Sequence, residues 1–326
     1  VVRDFAPMQA RILEVAGGDP LMQWLADTNF VFLGSAAYER TSDGLRLDPA
    51  SLLGQYRSRR LDPECIDPPS KDGDAEIVIA RTDAVATVHR PARMTSIAVR
   101  VPTDREVRFV GLPGSAAYRQ SVFAIPGIGG RADEVVARVG AALESHTGRA
   151  VRNVIETLPR DLVFESGVEE LTELVSAITG LQERRIVRVF DHTEPVGPWT
   201  TVLAYVPQSR FTAALPELVG ALVSEYYGGE VRDLETLVGS SSLARISMTV
   251  RADPLDDMTR LVGSIDGASR TWRERARGAL VDLLGEVEGH RVWSVVAASV
   301  PADYEARVRP EAAVGDLVNV EAMLSG

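Results

Sequence analysis

Lysine is almost missing from this chain. Of 35 basic residues only Lys71 is a lysine, and all the others are arginine. It sits in Pro68-Pro69-Ser70-Lys71-Asp72-Gly73-Asp74, which reads as an exposed loop. Chemistry that needs a buried lysine of depressed pKa therefore has no candidate here. Cysteine is as scarce: Cys65 stands alone, which excludes a disulfide framework and leads us to expect a reducing, cytoplasmic setting. No apolar run approaches the roughly 18 residues that span a bilayer, so no membrane contact is expected. Positive charge is in deficit too. A net charge of −11 would repel a phosphate backbone, and Arg270, Arg273, Arg275 and Arg277 would spread around a helix as a solvated face. Nucleic acid is not an expected partner. The start, Val1-Val2-Arg3-Asp4-Phe5, shows no charged leader, cleavage site or initiator Met, and reads as a piece of a longer chain.

Signatures of chemistry are equally sparse. None of His89, His146, His192 and His290 has a cysteine or second histidine at ligand spacing, so no metal site is expected. His89, in Thr87-Val88-His89-Arg90-Pro91, reads as a structural histidine bonded to backbone, and His192 as a solvated turn residue. Ser240, Ser241 and Ser242 lack a nucleophile-elbow sequence, and no P-loop is present. Gly127-Ile128-Gly129-Gly130-Arg131-Ala132 imitates a dinucleotide fingerprint. However, the apolar run before it ends in Pro126, the next element is helically spaced, and no acid closes a second strand. It reads as a glycine-rich turn. Glu169-Glu170 and Asp256-Asp257 fall at helix starts, where each stabilises the helix dipole by roughly 0.3–1 kcal/mol.

What is present is the make-up of a globular chain, 45% hydrophobic and 25% charged over 326 residues, enough for two or three packed units. Residues 1–19 read as a leading helical segment. From 20 to 113 a short helix (Leu21, Met22, Trp24, Leu25) precedes strand-like runs at Asn29–Gly34, Glu76–Ala80, Ile97/Val99/Val101 and Val107/Phe109, with a long loop from Leu61 to Asp74. A helical connector fills 114–183. Val135, Val136, Val139, Ala142 and Leu143 share a face with Gly148 as a stop, and Ser166-Gly167-Val168-Glu169 has capping-box form. From 184 to 285 the order is strand, strand, helix, strand, strand, helix. There Ala244, Ile246, Met248 and Val250 alternate with Arg245, Ser247, Thr249 and Arg251. A sheet with one polar face and helices on the other is a ferredoxin-like, ACT-type sandwich. Residues 286–326 read as a helical tail broken by Pro301 and Pro310. The expected fold class is α+β: a PAS-like or ACT-like sheet module, a helical connector, an ACT-type sandwich and a helical C-terminal segment.

Several stretches, in order, resemble the very large bacterial NAD-specific glutamate dehydrogenases. They are Trp24-Leu25-Ala26-Asp27-Thr28-Asn29-Phe30-Val31-Phe32-Leu33-Gly34, His89-Arg90-Pro91, Glu156-Thr157-Leu158-Pro159-Arg160-Asp161-Leu162-Val163-Phe164 and Leu181-Gln182-Glu183-Arg184-Arg185-Ile186-Val187-Arg188-Val189-Phe190. Tyr205-Val206-Pro207-Gln208-Ser209-Arg210-Phe211, Ser242-Leu243-Ala244-Arg245-Ile246 and Arg270-Thr271-Trp272 complete the series. The resemblance implies a regulatory region of ACT-like and PAS-like modules, with the dehydrogenase domain elsewhere in the parent. It implies NAD as the parent's cofactor and none in this chain, no catalytic residue here, and the other subunits of a homo-oligomer as partners. An amino-acid effector is a further expected partner, placed near the 191–198 turn with Arg184, Arg185, Asp191 and His192 as its contacts, the guanidinium forks clamping a carboxylate. Two alternatives stand beside this: a ligand-free assembly module, and a stand-alone amino-acid-sensing regulator. A stand-alone enzyme is the remote third.

Overall fold

The computed structural model describes residues 2–42, 44–57, 77–102, 104–140, 145–181, 184–195, 197–239 and 241–325. The expected 61–74 loop with Cys65 and Lys71, the helical positions Ala142 and Leu143, the resemblance residues Gln182 and Glu183, and Ser240 lie outside the described residues.

Helix α1 (Phe5–Val15) buries Met8 and Ile12 against the same core as the first sheet, so the leading segment and the sheet pack as one body. Helix α2 (Pro20–Trp24) begins with proline, and the Asp19 carboxylate accepts from the Leu21 and Met22 amides at 2.8 and 3.0 Å. The five antiparallel strands are β1 (Phe30–Thr41), β2 (Gly44–Gly54), β3 (Ile77–Val85), β4 (Arg93–Val101) and β5 (Arg105–Pro113). They lie in the order β2-β1-β5-β4-β3. Alternation along β1 sends Phe30 and Phe32 to the α1 side. The Phe32 ring there meets Phe30, Phe109 and Phe5 edge-on at centroid distances of 5.1, 5.8 and 6.2 Å. At the end of β2, Gly54 has φ of 60°, and a Cβ would sit 2.2 Å from the Leu33 carbonyl oxygen. Only glycine closes that turn.

Helices α3 (Ser115–Arg119), α4 (Ile128–Arg138), α5 (His146–Thr157), α6 (Arg160–Glu165) and α7 (Val168–Leu181) follow. The apolar faces of α4 to α7 share a core with Leu203, Tyr205 and Leu243 of the second sheet. Two local expectations are corrected. Gly148 does not stop a helix; it lies in the first turn of α5, where its amide donates to the Ser145 hydroxyl at 2.9 Å. The Ser166–Glu169 capping box does not form either. The Ser166 hydroxyl is buried without a hydrogen-bond partner among the described residues, and Arg138 draws the Glu169 carboxylate to 2.6 Å. A longer-range cation has outcompeted the local cap. A capping box does occur further on, at Thr271 and Glu274.

The second sheet comprises β6 (Arg188–Thr193), β7 (Thr200–Pro207), β8 (Val231–Leu237) and β9 (Leu243–Val250), antiparallel in the order β6-β7-β9-β8. Helices α8 (Leu215–Tyr227) and α9 (Thr259–Ser269) cover the face that carries Ala244, Ile246, Met248 and Val250. The polar face is not open to solvent: Arg245, Ser247 and Thr249 are all buried. The final unit is made of α10 (Trp272–Leu284), α11 (Glu286–Val296), α12 (Ala302–Arg307) and α13 (Val314–Ser325). Its core already includes Ala276 and Leu280, ahead of position 286. Arg210, after β7, binds Asp266 of α9 and Glu274 of α10, both at 2.7 Å, and ties this unit to the second sheet. Among the described residues no helix is long and apolar enough to cross a membrane.

Candidate functional site

The polar face of the second sheet lies against the β3–β4 edge of the first sheet, and charge is concentrated where they meet. Antiparallel pairing of β3 with β4 sets Arg81 opposite Thr95 and Val85 opposite Arg93. Both arginines reach out of their sheet to Glu194, the residue that follows β6. Arg93 donates to both Glu194 carboxylate oxygens at 3.2 and 2.8 Å, and Arg81 donates to one at 2.6 Å. Thr201 closes the group: it accepts from Arg81 at 2.9 Å and donates to Glu194 at 3.2 Å. The Glu194 side chain is 0% exposed and that of Arg93 only 2%, so this pair is shielded from solvent and its two charges depend on each other; Arg81 has Glu165 at 3.5 Å as well. The Arg93 guanidinium also stacks 4.1 Å from the Trp199 ring centroid, and the Trp199 indole donates to Asp83.

Behind this triad, Glu165 at the end of α6 accepts the Arg81 backbone amide at 2.7 Å, while its other oxygen is buried without a partner among the described residues. Desolvation outweighs the attraction of Arg81 and pushes the Glu165 carboxyl up to about 8. Asp161 is raised as well, by burial first and against the pull of Arg81. The consequence for stability has a definite sign. The folded value lies above the ordinary 4.5, so the folded chain holds a proton that the unfolded chain has released. The Glu165 contribution is therefore full below about 4.5 and is lost as pH rises through about 8. The melting temperature is expected to decline across that window, and Glu165→Gln, neutral throughout, to flatten the decline. Identical pH profiles for the two proteins would contradict this assignment.

In front of the triad the sheets part to leave a cleft of about 430 Å³. Arg90, Tyr118 and Asp161 line one side and Asp233, Glu235 and Thr249 the other. A bulge in β8 between Arg232 and Glu235, with Asp233 at φ of 51°, places the Asp233 carboxylate 3.9 Å from Arg81 and within reach of the Thr249 hydroxyl at 3.1 Å.

The four residues expected to hold an effector are not brought together. Arg184 and Arg185 are exposed and stand apart from the cleft. Asp191 and His192 are neighbours on β6 and so point to opposite faces. Asp191 accepts from the Tyr227 hydroxyl of α8 at 3.1 Å, whereas the His192 Nδ1 lies 2.6 Å from the Glu170 carboxylate of α7. His192 is thus a buried strand residue, not a solvated turn residue, because α7 covers that face. His89 departs from expectation in the other sense: it is exposed, on a tight turn at φ of 72°. The glycine-rich run is preceded by a 3-10 turn, Val122–Ala124, and not by a strand. A Cβ on Gly129 would lie 2.4 Å from the Phe123 carbonyl oxygen, so this glycine lets α4 pack onto that turn. Sequence reading passed over Arg81, Arg93 and Glu194. The signal was present as charged residues set among the apolar positions of β3 and β4.

An antiparallel four-stranded sheet with both helices on one face defines residues 188 onward as an ACT-type, ferredoxin-like sandwich, here docked by its polar face onto a helical motif and a second sheet. The family follows from comparison. Residues 188–273 match the family model described as glutamate dehydrogenase, ACT2 domain, and residues 125–184 match glutamate dehydrogenase, helical motif 1. The chain therefore carries two successive segments of the glutamate dehydrogenase family. It is 31% identical to the NAD-specific glutamate dehydrogenase of Pseudomonas aeruginosa over 97% of its own length and 22% of that protein's. With the enzyme of the same name from Halomonas elongata the identity is 28%, over 98% of this chain and 22% of the relative. With that from Mycobacterium tuberculosis it is 29%, over 91% and 19%. The chain thus spans about a fifth of the length of these curated relatives.

Proposed function

We propose that this chain is a non-catalytic regulatory and assembly region of an NAD-dependent glutamate dehydrogenase, whose parent oxidatively deaminates L-glutamate to 2-oxoglutarate in the cytoplasm. The observation that carries this reading is the buried Arg81–Glu194–Arg93 junction, which couples the ACT2 sandwich to the first sheet so that a shift of one is felt by the other. The lysine count supports it, since a dehydrogenase site that relies on lysines to hold a substrate carboxylate has only Lys71 to draw on. The PAS-like reading of the first sheet belongs to the same proposal and rests on its antiparallel order β2-β1-β5-β4-β3 with helical cover on the Phe32 face.

A second reading, pure subunit assembly, draws on the C-terminal unit, where Leu283, Val287, Met323 and Leu324 are between 55% and 85% exposed. Incubation of the chain with L-glutamate and NAD is expected to yield no NADH, and measurable turnover would overturn the non-catalytic reading. In the whole dehydrogenase, Arg93→Met is expected to change the glutamate saturation curve. An unchanged curve, with the variant folded, would favour assembly alone.

A further inference from the structure

We infer that the hollow between helix α1 and the first sheet is a binding site for a small monocarboxylate with an apolar tail, its carboxylate held side-on by Arg11. The site stands apart from the Glu194 junction and does not depend on the regulatory reading.

Beside the last turns of α1 a hollow of about 370 Å³ remains over the sheet, a size typical of small-molecule pockets. Its apolar lining continues the core that α1 and the sheet share. Ala37 and Val107 belong to that core, and Val15 and Val101 pack against it. Arg11 borders the same hollow and is pinned through one nitrogen only. Its Nη1 donates to the Ser51 carbonyl at 2.6 Å and to the Ser35 hydroxyl at 3.1 Å, beside the bulge where β1 and β2 shift register between Ser35 and Ala37. Among the described residues nothing accepts from the Arg11 Nε or Nη2, and neither atom is closed off from solvent. These two nitrogens form the side edge of the guanidinium, a planar fork that matches both oxygens of a carboxylate. The fork is fixed in place, accessible and unused.

The surroundings favour a single negative charge there. Both partners of Arg11 are neutral oxygens. Burial, and after it the positive charges of Arg105 and Arg57, hold its guanidinium below the ordinary value against the pull of Glu14 and Asp48. A bound carboxylate offsets that crowding. Arg105 lines the hollow too, and its pairing with Asp48 is long, at 3.4 Å, and partly exposed. Such a pair is weak, so Arg105 can turn toward the ligand as a second cation. Glu14 is the one carboxylate among the lining residues and disfavours a second negative charge. The four apolar residues leave the rest of the ligand no polar partner, which selects a hydrocarbon tail.

The test is titration of the chain with isovalerate, read by calorimetry and by the nitrogen–proton NMR signals of the arginine Nε groups. Binding is expected with a Kd of roughly millimolar size, together with a shift of the Arg11 Nε signal. Isovaleramide, which lacks the charge, and acetate, which lacks the tail, are each expected to bind about tenfold more weakly or worse. Inorganic phosphate is expected not to displace isovalerate. Arg11→Lys keeps the charge but not the fork, and is expected to weaken binding by about tenfold. Arg105→Gln alters a half-exposed side chain that the fold does not need, and is expected to weaken binding by about threefold. Arg90→Met, in the cleft between the sheets, is expected to leave binding unchanged. No binding of isovalerate, an unmoved Arg11 signal, equal binding of the amide, or undiminished binding by Arg11→Lys overturns the site. Equal binding of acetate or displacement by phosphate overturns the monocarboxylate assignment. If Arg11→Lys fails to fold, undiminished binding by Arg105→Gln with an unmoved Arg11 signal overturns the site by itself.

Discussion

Glu194→Ala is expected to destabilise the chain by about 3–5 kcal/mol, read as a lowered urea midpoint at unchanged slope. The size follows from what remains behind. Arg93 and Arg81 are 2% and 8% exposed at the side chain, and without Glu194 Arg93 has no carboxylate within ion-pair distance among the described residues, while Arg81 is left to Glu165 at 3.5 Å. Glu194→Gln keeps the shape and one acceptor but not the charge, and is expected to fall between the two. The triad need not be a net source of stability, because desolvating three charges is costly. Its role is to fix how the sheets meet. Replacing Arg81, Arg93 and Glu194 together by apolar residues of similar volume is accordingly expected to recover much of the loss. If Glu194→Ala shifts the midpoint by less than about 1 kcal/mol, the junction is looser than described here.

Phe32→Ala is the other large effect, about 3–5 kcal/mol of lost stability. The ring is fully buried and meets three other aromatic rings between strand β1, strand β5 and helix α1. Removing it strips edge-to-face contacts from all three and leaves a void that strands held by ladder hydrogen bonds cannot collapse to fill. α1 lays Met8 and Ile12 on this face of the sheet, so the substitution is expected to release α1 first. Hydrogen exchange should show the amides of 5–15 losing protection before those of β4. Simultaneous loss in both would mean that helix and sheet open as one unit.

The second sheet was readable because one strand states both of its faces. Ala244, Ile246, Met248 and Val250 alternate with polar residues, and the stripe on α8 ends at Gly228, which takes a left-handed φ of 68°. Local spacing was enough to place the helices on the apolar face. What covers the polar face was not readable. Arg81 and Arg93 find Glu194 from 113 and 101 positions away, and nothing in the spacing of a strand marks such a partner. The expected effector residues stand apart for a related reason. Two adjacent arginines look like a carboxylate clamp in sequence, yet Arg184 and Arg185 emerge on the surface after α7. Arg90, whose guanidinium donates to the Pro113 carbonyl from the cleft wall, carries no such mark within His89-Arg90-Pro91 either.

Trp199 is the most deeply buried of the four tryptophans, and its ring is roofed by a guanidinium from the opposite sheet. Its indole emission thus responds to a cation that belongs to the other half of the molecule, 4.1 Å away, with Arg232 of its own sheet farther off at 5.4 Å. Any parting of the halves would change the colour and yield of that light, giving the protein an optical gauge of its own cleft without an added label.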